Sequence, residues 1–139
     1  MLNRIAIFTA LCALSLTGCN GPKEDCEGSF KSYQSLLEGQ SWSGIYELLT
    51  PEFKRKIKVE AYEQLMKEEW GPTHSFKWDV QNVGASAKVC IVNGNMKYTW
   101  KVRGKNPEDR DEYFAFTFRK QPDGKWYMEH PGDEKIGGF

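Results

Sequence analysis

The 139-residue sequence contains four thiols, Cys12, Cys19, Cys26 and Cys90, and two imidazoles, His74 and His130. A thiol can be acylated, oxidised to a disulfide or bound to a metal, and an imidazole can carry a proton near neutral pH. Asp79, His74 and His130 are the candidate acid–base groups. In "SFKWDV" the alternation sets Asp79 opposite Phe76, Trp78 and Val80, so its carboxylate faces water, a poor setting for a catalyst. His74 follows Pro72 by two residues and falls at a strand edge. His130 shares a face with Trp126 and Met128 but abuts Pro131 at a strand's end, which is a structural position. Ser41 and Ser43 have no base nearby in sequence, and "VNGNM" reads as a hairpin turn rather than a phosphate cradle. These residues predict no catalytic site and no cofactor.

Cys19 has the most informative neighbours. Arg4 gives a short positive start, residues 5–17 form an uncharged, mostly apolar run, and Thr17 and Gly18 are small. The run is shorter than the ~20 apolar residues of a membrane-spanning helix, and the layout is that of a secretory signal. Leu16-Thr17-Gly18-Cys19 resembles the lipobox of bacterial lipoproteins. The resemblance implies that residues 1–18 are removed as a signal peptide. It also implies that the Cys19 thiol joins a diacylglycerol and that the new amine takes a further acyl chain such as palmitate. Acylated Cys19 is then the partner of a lipid bilayer. Asn20 stands where aspartate resembles an inner-membrane retention signal, so the expected location is the outer membrane, facing the periplasm.

Removing 18 residues from 139 leaves 121, enough for one domain with its own core. The whole chain has 19 basic and 19 acidic side chains, and losing Arg4 leaves 18 against 19. A near-neutral chain makes no electrostatic case for nucleic acid. With Cys12 removed and Cys19 acylated, Cys26 and Cys90 remain, in a compartment that permits disulfides. One bridge, tying the first helix to the sheet, is expected; the alternative is two separate thiols with Cys90 buried in a strand. Two cysteines and two distant histidines lack zinc-type spacing, so no metal is expected.

Residues 19–25, which include "NGPKED", read as a tether. From Cys26 to Gly39, Phe30, Tyr33, Leu36 and Leu37 recur at helical spacing. "SWSGIYELLT" is a second, short helix. Thr50-Pro51-Glu52 is a helix start, and "VEAYEQLMKEEWG" is the third clear helix, stopped by Gly71-Pro72. After Pro72 the period becomes two. "SFKWDV" and "AKVCIV" precede a tight turn at Asn93-Gly94-Asn95. "MKYTWKVRG", a charged loop "KNPEDRD", "EYFAFTFRK", a turn at Pro122-Asp123-Gly124 and "KWYMEH" complete the run. The prediction is an α+β domain over residues 26–131, with 132–139 a flexible tail. Three N-terminal helices pack on the apolar face of a curved antiparallel sheet of four or five strands.

This element order, with "SYQSLLEGQSWSGIYELLTPEFKRKIKVEAYEQLM" ahead of the strands, resembles the NTF2-like, cystatin-like superfamily. The resemblance implies a cone: a bent sheet wrapped around a long first helix, with a pocket inside. Enzymes of that superfamily hold an acid or an Asp/His pair deep in the cone. Trp42, Tyr46, Tyr98 and Trp100, with Trp78, Phe114, Phe116 and Phe118, are the candidate pocket lining here, unless they are simply core. Lys97, Lys101 and Arg103, with Lys77, Lys88 and Arg119, form a candidate basic patch on the outer sheet face, diluted by Asp79, Asp111 and Glu112. The expected function is a non-enzymatic envelope lipoprotein that binds a protein or a small apolar ligand. The alternatives are an inhibitor or immunity protein against a toxin or cell-wall hydrolase, and a small pocket enzyme.

Overall fold

The computed structural model describes residues 21–130; the expected signal peptide and lipobox, residues 1–19, and the expected tail at 132–139 lie outside them. Four helices precede four strands. They are α1 (Pro22–Glu38), α2 (Trp42–Leu48), α3 (Pro51–Lys56) and α4 (Val59–Trp70), then β1 (Thr73–Ala85), β2 (Val89–Trp100), β3 (Glu108–Lys120) and β4 (Trp126–Met128). The strands form one antiparallel meander in the order β1-β2-β3-β4. The α+β architecture is the expected one, with a fourth helix added by the short α3. No helix among the described residues is long and apolar enough to cross a membrane.

α1 begins at Pro22, four residues ahead of the expected start, so most of the supposed tether is helical. Proline presets the backbone of a first turn, and Glu24 and Asp25 complement the helix dipole there. Cys26, Phe30, Tyr33 and Leu37 form its buried face. At its far end Trp78 Nε1 donates to Glu38 (2.8 Å), tying α1 to β1. α3 is capped as its sequence indicates: the Phe53 N–H donates to Thr50 Oγ1 at 3.4 Å. Just before it, Leu49 pairs with Met128, and the Thr50 N–H donates to the Met128 carbonyl (3.1 Å). This contact pins the α2–α3 junction to the edge of the sheet.

The hairpin expected at residues 93–95 does not form. β2 runs straight through it, and Cys90, Val92, Gly94, Met96 and Tyr98 are all buried on one face. Gly94 is needed for a close approach, not a turn. β1 carries one extra residue, Gln81, between the pairs Val80↔Gly94 and Asn82↔Asn93. That bulge presses the Asp79 carbonyl against Gly94. A Cβ there would overlap the Asp79 oxygen and come within 2.9 Å of its carbonyl carbon. The bulge also switches which residues of β1 face inward, from Phe76 and Trp78 to Val83. The β1–β2 turn lies at Ser86 instead. Its N–H donates to the Val89 carbonyl (2.8 Å), and the Val89 N–H donates to its hydroxyl (3.1 Å). Likewise β3 begins within the expected charged loop, because the long β2 offers partners as far as Trp100↔Glu108. A Gly94→Ala protein should lose about 2–3 kcal/mol of stability, the usual cost of overpacking. The check is the midpoint of urea unfolding; an unchanged midpoint would show that the two strands can part there freely.

The core lies between α1, α2 and the inner sheet face. Phe30 stacks on Phe114 with ring centroids 5.5 Å apart and meets Trp78 edge-on at 5.7 Å. Cys26 of α1 and Cys90 of β2, both fully buried, are joined in a disulfide with their Cα atoms 6.2 Å apart.

Candidate functional site

α4 stands off the sheet. Tyr62, Met66, Glu69 and Trp70 recur at helical spacing on its inner face, opposite β2 and β3, and a cavity of about 250 Å³ lies between them. Tyr33 of α1, Met96 of β2, Phe114 and Phe116 of β3, Met128 and His130 complete its walls. The exposed Glu69, Glu112 and Tyr113 mark the mouth, while the buried Tyr62, Met66 and Met128 mark the closed end.

Tyr62 sets the chemistry of the closed end. It is 0% exposed, and its buried hydroxyl has no hydrogen-bond partner. Leaving such a group unpaired costs about 1–3 kcal/mol. Its ring is held on three sides: by Tyr46 (5.6 Å), edge-on by Phe53 (5.9 Å) and edge-on by His130 (5.7 Å). His130 in turn stacks on Phe53 at 4.7 Å. Burial drives the Tyr62 pKa upward, and the nearby Tyr33 and Glu69 add to the shift. Burial raises Tyr33 as well. Both phenols are therefore neutral at any physiological pH, able to donate or accept a hydrogen bond but not to carry charge.

At the mouth, the Tyr98 hydroxyl donates to Glu112 (2.7 Å). Burial, followed by that hydrogen bond, pushes the Tyr98 pKa up to about 12. Arg110 lies over the Trp100 ring at 4.4 Å and pairs with Glu108 at 3.3 Å.

Of the aromatic residues expected to line a pocket, Phe114 and Phe116 line this cavity, while Trp42, Tyr46, Tyr98 and Trp100 do not. Trp42 and Tyr46 are core residues, and the Tyr46 hydroxyl is spent on the Ile57 carbonyl (2.8 Å). Tyr98 and Trp100 lie further along β2, past Met96. His74 and Asp79 are exposed on β1, where they pair across the ladder with Thr99 and Asn95. His130 does line the cavity, although its sequence position suggested only a structural role. The candidate basic patch is broken up. Lys97 pairs with Asp111 (3.4 Å) and stands opposite Lys77, Arg119 pairs with Glu129, and Lys101 and Arg103 follow the end of β2 in the exposed loop. Among the described residues, no group of histidine, cysteine or acid side chains could hold a metal ion.

No protein-family model and no curated protein matches this sequence. Solved structures do share its fold. A protein named as a candidate ketosteroid isomerase from Shewanella frigidimarina is 14% identical, with a TM-score of 0.57 over 79% of this chain and 94% of its own. An NTF2-like superfamily protein from Salmonella enterica is 11% identical, with a TM-score of 0.56 over 84% and 96%. An LEH-like epoxide hydrolase from M. tuberculosis is 9% identical, with a TM-score of 0.51 over 81% and 83%. At these identities the likeness is one of fold: the chain is an NTF2-like cone.

Proposed function

We propose that this protein is a lipid-anchored binding module that takes one small, largely apolar molecule into the cavity beneath α4. The unpartnered Tyr62 hydroxyl at the closed end carries this reading. It meets a polar atom of the ligand, while Met66, Phe114 and Phe116 enclose the apolar body, the usual division of labour in small-molecule sites.

The anchor sets the orientation. Two residues, Asn20 and Gly21, separate an acylated Cys19 from Pro22, and the three Cα-to-Cα steps reach about 10 Å at most. Cys26, one turn into α1, is bonded to Cys90 near the start of β2. Glu112 at the mouth pairs with Met96, six residues further along that strand, or about 20 Å away. On this reading the mouth opens away from the bilayer, and the ligand arrives from water.

The enzymatic alternative is favoured by one observation, that the His130 ring lies beside Tyr62 in the same cavity. Native mass spectrometry of the purified protein separates the two. A copurified small molecule, released chemically unchanged on a second incubation, supports binding; conversion to a new mass supports catalysis. Tyr62→Phe should stabilise the empty protein by about 1 kcal/mol, because it removes an unsatisfied group, and should weaken retention of the ligand. No copurified molecule, together with a destabilised Tyr62→Phe protein, would defeat the proposal.

A further inference from the structure

The charged side chains that line the cavity at its mouth are both carboxylates, and we infer from them that the ligand is a small amine. This deepens the binding reading above and rests on it. Glu69 of α4 and Glu112 of β3 approach the opening from opposite walls, and no lysine or arginine lines the cavity. Arg110, two residues before Glu112 on β3 and beside Tyr98, is already paired with Glu108 and lies over Trp100. Behind the two carboxylates the walls are aromatic, with Trp70 near the mouth and Phe114 beyond it. Ring faces attract an ammonium group that has shed part of its water, and carboxylates attract it at longer range. An anionic ligand meets the opposite: two like charges, with the neighbouring Arg110 already held by Glu108.

Size narrows the class further. A space of about 250 Å³ holds on the order of ten non-hydrogen atoms at liquid-like density. The inferred ligand is thus an ammonium, either a protonated primary amine or a quaternary ammonium, on a short aryl or alkyl body. The charge sits at the mouth between Glu69 and Glu112, and the apolar end lies against Phe116 and Met128. A polar atom on that body, where present, meets the Tyr62 hydroxyl.

Three probes with one body test this: 3-phenylpropylamine, 3-phenylpropanol and 3-phenylpropionate, each titrated calorimetrically into the full-length protein at low salt. The amine should bind at least tenfold more tightly than the carboxylate, with the alcohol between them. Raising the salt should shrink that spread. In the Glu69→Gln, Glu112→Gln double variant, whose two positions are exposed and tolerate the change, the amine should fall to the level of the alcohol. Equal binding of all three probes overturns the amine inference while leaving the cavity a binding site. Failure of all three to bind overturns both.

Discussion

Replacing Cys26 and Cys90 together with alanine should lower the thermal midpoint of this protein by about 15 °C or more. The bond joins residues 64 apart in sequence, one near the start of α1 and the other near the start of β2. Cross-linking so long a loop removes conformational freedom from the unfolded chain, which is worth about 4 kcal/mol on the entropy model. A domain of this size shifts by roughly 4 °C for each kcal/mol. The packing around the bond does not make it redundant. Phe30, Tyr33 and Leu37 hold the middle and end of α1, but its first turn carries Glu24, Asp25 and only one buried side chain, Cys26 itself. Loss of the bond therefore frees that first turn as well as loosening the unfolded chain. The measurement is circular dichroism melting of the oxidised protein, the reduced protein and the double variant. Coincident melting of all three would remove the disulfide from any account of stability. Alkylation of both thiols without reductant would show that the bond is not made.

The other large effect concerns residue 19. A Cys19→Ser protein should take up no labelled palmitate and should be either a soluble periplasmic protein or an uncut precursor that keeps residues 1–18. One acyl chain holds a protein only marginally, and each further buried methylene adds about 0.8 kcal/mol. A second chain of ordinary length thus adds on the order of 10 kcal/mol, far more than any exposed side chain of this domain can offer a bilayer. Because α1 begins at Pro22, the folded domain has almost no slack on such an anchor. Inserting a flexible ten-residue spacer after Asn20 should leave fractionation unchanged while restoring protease access near α1. Unaltered membrane fractionation of a Cys19→Ser protein from which residues 1–18 have been removed would end the lipid reading.

Much of the architecture was legible because it rests on local chemistry. The helical recurrence of Phe30, Tyr33 and Leu37, the Thr50-Pro51-Glu52 cap and the alternation from Phe114 to Phe118 each depend on nearest neighbours, which sequence records directly. The same alternation placed Asp79 in solvent, and two remaining cysteines suggested one bridge. Gly94 could not be read this way. Asn-Gly is a turn signal in isolation, yet it became strand because a bulge in β1, remote in sequence, needed a residue without a side chain against the Asp79 carbonyl. Nor could local pattern reveal the cavity. Tyr62 and Met66 were visible as one apolar helix face, but that face is equally consistent with a filled core. Whether α4 lies flat on the sheet or stands away from it depends on how α2, α3 and the sheet edge at Met128 brace it. Local periodicity thus determined which elements exist and which faces they bury. The distance between those faces, and with it the unpaired Tyr62 hydroxyl and the two carboxylates at one opening, was decided by long-range packing, because a gap belongs to no single segment.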